Sequence, residues 1–500
     1  MNKVGKILLK TILGVFALLF IWIIINSIFL GDNVLFSFKP ILLFIYIIIN
    51  MIFLIFIYKN VITKIANYKW LPVFLMAIFA IICILVSYSL RQNPSWDMGR
   101  VFNMAVGYIQ NGYIEDTYLY EYQNNIAITC IFIIVLKIFS LFNYTDYVTA
   151  ITLVNAIMVT LTIICLYYSV KKIYGKEKAL MVLIICLFTT PFYLHAAIYY
   201  TDTMSMFVCT LFLFIYTIMR DENNKTKKYI EQIILGLIFV VGAEIKITST
   251  FIFIAIIVAS ILNNKIKDLI KDFKIFIPAT LIFFLIYTIC INTMVIPDKE
   301  KLNMYKVPIS HWLWIGSVGN GGFNQEAYEY TYSFPTYEER NQADLSKLKE
   351  TLKSYDIISF VKHISQKLKY TWADGTYLAP EKLRRDPVNK GVLYEYVASG
   401  GTKTNYYKYF PQIMHITMLG FLLINVISVL KNKKFDKMDT TLIISILGIT
   451  LFLMIWENRS RYILTLVPIM IILEVNGIES VAYNLMKKER KQLNEYNGEN

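Results

Sequence analysis

Apolar residues in this chain come in long runs separated by short polar breaks. Thirteen runs fall near 11–30, 38–58, 70–90, 126–142, 148–170, 179–195, 203–218, 229–243, 247–263, 275–295, 412–430, 440–456 and 462–480. About twenty apolar residues in a helix cross the hydrocarbon layer. Only helices and closed barrels satisfy their own backbone hydrogen bonds there. The runs show no strand-like alternation, so the pattern predicts an all-α polytopic membrane protein with about 12–13 transmembrane helices. Lys3, Lys6 and Lys10 precede a first run too long for a signal-peptide core and lacking a small-residue cleavage site, so it is expected to be a retained helix.

Two hydrophilic stretches interrupt the runs. In 91–125, the positions Met98, Val101, Phe102, Ala105 and Ile109 repeat at helical spacing, with Asp97, Arg100, Asn103 and Gln110 as the polar members. That predicts a helix lying in the membrane interface. The stretch 297–411 is large and carries sixteen basic and thirteen acidic residues. Helices are expected at 337–354 and 356–372, with irregular, Tyr-, Gly- and Asn-rich chain elsewhere. No internal repeat or low-complexity tract is present.

Charge orients the chain. Basic residues crowd into 59–69, 171–178, 219–228, 264–274, 431–439 and both termini, which the positive-inside rule places in the cytoplasm. Together these segments hold 26 Lys/Arg and 10 Asp/Glu, a net +16, and the rest of the chain holds −2, which accounts for the overall +14. The loops 91–125, 296–411 and 456–461 are then external. One parity problem stands: between 91–125 and 171–178 lie two apolar runs where alternation demands an odd number. Either 126–142 dips in and returns, or one boundary is misplaced. Both termini in the cytoplasm require an even number of crossings.

Composition agrees: 57% of the 500 residues are hydrophobic and 17% charged, against about a quarter charged in soluble proteins, which excludes a soluble enzyme or a disordered chain. The positive charge is explained by membrane loops, so no nucleic acid is expected as a partner. Six cysteines (83, 130, 165, 186, 209 and 290) lie within apolar runs without metal or disulfide spacing. The four histidines show no metal-ligand spacing.

Charges close to membrane depth are costly and mark function. Four groups qualify: Asp97; Asp202 in Tyr199-Tyr200-Thr201-Asp202; Glu244 and Lys246 in Gly-Ala-Glu-Ile-Lys; and Glu457, Arg459 and Arg461 in Trp-Glu-Asn-Arg-Ser-Arg-Tyr. Topology puts all four at the external helix ends. A carboxylate there can take a proton from an acceptor hydroxyl, while Lys and Arg hold a phosphate and stabilise its growing charge. Simpler readings exist: Asp97 and Asp202 as helix caps, Lys246 snorkelling, the arginines on lipid headgroups. His311-Trp312 opens a Gly-rich stretch, 316–322, that lacks the Lys-Ser/Thr of a phosphate loop and is expected to fold as tight turns over a site.

In their order, these elements resemble the GT-C class of polytopic glycosyltransferases, especially its bacterial protein O-mannosyltransferase-like and aminoarabinose-transferase-like members. The features are Asp97 followed by an amphipathic helix; Tyr-Thr-Asp202 after a helix end at Pro191; Gly-x-x-x-Lys246; Glu457-x-x-x-Arg461-Tyr462; and the large loop before the last helices. His311-Trp312 running into Gly321-Gly322-Phe323-Asn324 resembles uncharacterised Gram-positive members. The resemblance covers residues 70–480. It implies a sugar donor on a polyprenyl phosphate and transfer on the external face to a wall polymer, glycolipid or protein. Asp97 and Asp202 would be the catalytic acids, and Lys246, Arg459, Arg461, Glu457, Tyr200 and His311 would bind substrate. The chain departs from the class in carrying Asp97 alone where paired acids are usual, with Glu115, Asp116 and Glu121 further on, and in two additional N-terminal helices. The class leaves open whether a divalent cation takes part.

The expected organisation is additional helices in 1–69, a GT-C-like core in 70–295, the external loop 296–411, C-terminal helices in 412–480 and a cytoplasmic tail in 481–500. A wall-polymer ligase or polymerase and a lipid-linked sugar flippase are the alternatives. A flippase would favour inverted repeats and broken midplane helices, which the sequence does not show.

Overall fold

A computed structural model describes residues 3–29, 36–114, 116–263, 265–432 and 436–498. The described chain is helical throughout, with no strand and one isolated bridge between Gln92 and Pro387. Among the described residues ten helices are long and apolar enough to cross a membrane, and eleven if Lys176–Phe188 and Thr190–Ala196, bent by 60°, count as one span. The expected number is about 12–13, and the difference lies in helices that miss this length-and-composition criterion. All thirteen apolar runs form helices, but Lys225–Ile245 carries charges towards both ends and Ile247–Leu262 is short. The helix Ser460–Glu489 runs through the middle of the bundle, with 89% of its most apolar stretch buried.

The bundle has two distinct ends. At the basic end, Lys178 pairs with Glu479 at 2.7 Å, Tyr174 donates to Asp439 at 2.5 Å, and Lys172 faces Asp221 at 3.7 Å. Lys59 pairs with Glu489 there as well. The other end carries the two hydrophilic stretches and a cavity.

This arrangement resolves the parity problem. Tyr147–Tyr174 is one helix of 28 residues, about 42 Å long at 1.5 Å per residue. Its Tyr174 end is at the basic end, so Tyr147 is at the cavity end. The preceding helix, Ile126–Leu141, starts from the cavity-lining Asn125 and stops just before Tyr147. Both its ends are therefore at the cavity end. It packs along Trp96–Asn111, and its Phe132 sits 6.1 Å from Tyr199, beside the cavity. Long and apolar as it is, this helix lies across the end of the bundle. Without it, and counting the bent pair and the two weaker helices, the described residues traverse the bundle twelve times, and both described termini come to the basic end.

The amphipathic helix forms as its spacing dictates. Trp96–Asn111 buries Met98, Val101, Phe102 and Ala105, exposes Arg100, Asn103 and Gln110, and closes on a left-handed Gly112. The large loop contains the expected helices at Tyr337–Ser354, with a capping box from Thr336 and Glu339, and at Ile357–Trp372. Its later part is strapped to the first loop: Asn93 N donates to Asp386 O at 2.8 Å and Val388 N to Arg91 O at 3.0 Å. The N-terminal helix joins the same assembly, its Phe20 ring meeting Trp372 edge-on at 5.2 Å.

Candidate functional site

A cavity of about 610 Å³ opens where the two loops meet the helix ends. Its walls include Asp97, Tyr200, Glu244, Lys246, His311, Glu457, Arg459 and Arg461. Seven of the eight residues singled out for a site thus share one space; Asp202, the eighth, stands behind it.

Local folding explains each placement. Asp202 lies in the first turn of Thr201–Arg220, but it caps nothing: the N-cap is Tyr200, without a side-chain cap bond. Instead Asp202 Oδ2 accepts from Arg461 Nη1 at 2.8 Å, and Oδ1 pairs with Lys246. Asp202 is 2% exposed, so one buried carboxylate is shared between two cations. Both of its oxygens being held by cations does not fit a metal ligand. Among the described residues no group of three or more His, Cys, Asp or Glu is placed to hold a metal ion.

Lys246 leaves Lys225–Ile245 in extended conformation, φ −166° and ψ 118°, which turns its side chain from the helix face into the cavity. The glycine four residues before it permits this. A Cβ on Gly242 would lie 2.6 Å from Ser249 Oγ and 2.9 Å from Val208 Cγ1. Lys246 does not snorkel: it stands 4.4 Å over the Tyr462 ring and pairs inward with Asp202. Glu457 accepts from Tyr462 Oη at 3.0 Å and faces Arg459 at 3.9 Å; burial holds its carboxyl above the usual range. Its segment is fixed from above. Asn458 N donates to Gly321 O at 2.9 Å, and Lys367 donates to Gly316 O and Trp456 O.

Asp97 also lines the cavity, half-buried, in the first turn after Ser95. It too caps nothing. Tyr118 lines the cavity with it. Tyr118 Oη accepts from Asn125 Nδ2 at 2.8 Å, and Asn125 Oδ1 accepts from Tyr200 Oη at 2.9 Å. Of the acids further along the first loop, Asp116 pairs with Arg100 at 2.8 Å and Glu121 accepts from Tyr328 at 2.8 Å, while Glu115 is outside the described residues.

Sequence reasoning missed two cations. Lys382 and Arg385, from the strapped part of the large loop, line the cavity beside Trp96. Lys382 Nζ sits 3.7 Å over the Trp96 ring, and the guanidinium carbons of Arg461 and Arg385 lie 5.4 and 5.8 Å from it. Lys382 is 5% exposed; burial, together with Arg461, Arg385 and Arg459, pushes its ammonium down to about 6. Trp96 adopts a left-handed φ of 47°, a conformation costing of order 1–3 kcal/mol and concentrated at functional sites. No local signal separates Lys382 from the other lysines of a mixed-charge loop; only the contact with Trp96 does.

The chain belongs to the family described as a conserved hypothetical integral membrane protein, whose sequence profile matches residues 2–481. It is an integral membrane protein. No curated protein matches it. Among solved structures it is similar to ArnT from Cupriavidus metallidurans bound to undecaprenyl phosphate, with 12% identity, a TM-score of 0.36, and coverage of 82% of this chain and 78% of that one. It is also similar to the Archaeoglobus fulgidus oligosaccharyltransferase tethered with an acceptor peptide, with 13% identity, a TM-score of 0.40, and coverage of 84% and 50%. For the same archaeal enzyme, AglB, in complex with an inhibitory peptide and a dolichol-phosphate, the values are 13%, 0.40, 85% and 52%. The chain thus spans about half the length of the archaeal structures.

Proposed function

We propose that this protein is a membrane glycosyltransferase that moves a sugar from a polyprenyl-phosphate-linked donor to an acceptor hydroxyl on the external face. The observation that carries the reading is the composition of one cavity: Asp97 together with Lys246, Arg461, Arg459, Lys382 and Arg385. Such a space suits a reaction that removes one proton and releases one phosphate. Asp97 takes the proton of the acceptor hydroxyl as its oxygen bonds to the sugar's anomeric carbon. The bond from that carbon to the phosphate oxygen breaks, and its electron pair goes to the phosphate. The cations stabilise the charge that gathers there. Asp202 is a positioning residue that holds Lys246 and Arg461 in place.

A lipid carrier agrees with the lower wall. Ala243, Ile245, Ile247, Phe452 and Leu453 line it, and Ile247 is 52% exposed. An apolar stretch of wall beside the cations suits the hydrocarbon part of a lipid-linked phosphate. The crowding of lysine and arginine at the opposite end supports a cytoplasmic basic end and an external cavity.

The test is turnover of polyprenyl-phosphate-linked sugars by purified protein in lipid nanodiscs, following release of polyprenyl phosphate. Wild type is expected to release it, and Asp97→Asn to fail while remaining folded. Equal release by both proteins, or none from any donor, would overturn the reading.

A further inference from the structure

His311 enters the cavity wall with its ring already committed on one side. Its Nδ1 lies 2.8 Å from Thr331 Oγ1, and Thr331 Oγ1 donates to Asp344 Oδ1 at 2.7 Å. His311 is 1% exposed, and Thr331 and Asp344 are wholly buried. The proton positions follow. A carboxylate and a carbonyl only accept, so the single hydroxyl proton of Thr331 is directed to Asp344 and to Ala327 O, 3.0 Å away, and not to His311. The Thr331 oxygen must then accept, so His311 Nδ1 carries a proton and donates. Burial holds the His311 imidazole down to about 4, so near neutral pH the ring is uncharged and Nε2 bears a lone pair. The two nitrogens are on different edges of the ring. With Nδ1 turned to Thr331, Nε2 is the edge presented to the cavity.

His311 Nε2 and the Asp97 carboxylate are thus two of the cavity groups that accept a proton or a hydrogen bond from a substrate. Beside His311 the wall is aromatic. Trp312 and Tyr122, with ring centroids 6.2 Å apart, and Phe323 all line it. Flat apolar faces beside hydrogen-bond acceptors suit a molecule with several hydroxyls on a C–H framework. A lone serine or threonine hydroxyl would leave one acceptor unmet.

We propose that this half of the cavity is an acceptor subsite for a polyhydroxylated substrate, a sugar or polyol. In it His311 Nε2 receives a hydrogen bond from one substrate hydroxyl, and Thr331 and Asp344 are positioning residues that fix the ring. The proposal rests on the glycosyltransferase reading, in which Asp97 receives the proton of the neighbouring, reacting hydroxyl.

The test separates binding from turnover. Saturation-transfer NMR on the full-length purified protein, without donor, is run with methyl α-glucopyranoside, glycerol and N-acetylserine amide. The glucoside or glycerol is expected to bind and the serine derivative not. Thr331→Val is expected to weaken binding roughly tenfold, the worth of one hydrogen bond, and Thr331→Ser to restore it. With donor present, Thr331→Val is expected to raise KM for the acceptor and the ratio of donor hydrolysis to transfer. A merely structural role for Thr331 would move neither that ratio nor the rescue by serine. Binding of the serine derivative as tight as that of the sugar, or identical binding by wild type and Thr331→Val, would overturn the subsite. If donor is hydrolysed while no polyol binds, the subsite falls and the glycosyltransferase reading stands. If polyols bind as expected while no donor is turned over, the reverse holds.

Discussion

Arg461 and Asp202, 259 positions apart, meet through a 2.8 Å charge-assisted hydrogen bond inside the bundle. Lys246 pairs with the other oxygen of the same carboxylate. Removing one member of a buried ion group costs about 3–5 kcal/mol, because the remaining charge is left uncompensated. Asp202→Asn leaves two cations facing each other. It is expected to lower the thermal unfolding midpoint and to abolish donor turnover. Unfolding and turnover of one preparation check both; an unchanged midpoint would show that Asp202 does not hold the pair.

Asp97→Asn is the contrasting case. Asp97 is half-buried on the cavity wall and in no ion pair among the described residues. Loss of a general base lowers the rate roughly 10²–10⁴-fold. The expected outcome is a drop of that order in transfer, with the unfolding midpoint and donor binding close to wild type. A stability loss as large as that of Asp202→Asn would make Asp97 a structural residue.

Lys382 should give the site a pH dependence. Its ammonium is pushed down to about 6 in the folded protein, from an ordinary value of 10.5. Between those values the unfolded chain binds the extra proton, so stability rises with pH across that window; below about 6 both states are protonated and the penalty is constant and greatest. A bound phosphate favours the charged lysine, so donor binding takes up a proton and tightens as pH falls from 8 towards 6. Affinity for a polyprenyl phosphate is expected to show this slope in wild type and to lose it in Lys382→Met. A slope that persists in the variant assigns the proton elsewhere.

Gly242→Val tests the backbone route of Lys246. The new side chain meets Ser249 and Val208 at less than van der Waals distance, and overpacking costs about 1–3 kcal/mol. Donor affinity is expected to fall together with the unfolding midpoint, since Lys246 moves with the helix end. Gly107→Ala, where a Cβ meets nothing within 4 Å, is the control and should change neither.

Helix spacing was legible from the first reading because it depends on neighbours a few residues apart. The periodicity of 96–109 marked both the amphipathic helix and its buried face, and the run at 337–354 marked its own helix. The cost of charge near hydrocarbon did the same for Asp97, Asp202, Lys246 and Arg461, since a buried ion needs a reason wherever it occurs. Those two local rules determined the class of fold and six of the eight charged residues that line the cavity.

Tertiary structure alone decided the rest. Ile126–Leu141 is apolar enough to span, and length cannot tell a crossing helix from one laid across the bundle; the position of Tyr147 did. Asp202 and Asp97 look alike in sequence, yet long-range pairing buries one between two cations and leaves the other on the cavity wall. Lys382 and Arg385 sit in a loop of mixed charge, where any lysine looks solvated. The strap between Asn93 and Asp386 brings them onto Trp96. Sequence sets what each residue can do, and contacts between distant segments set which partner and how much water it has, and therefore which of those roles it takes.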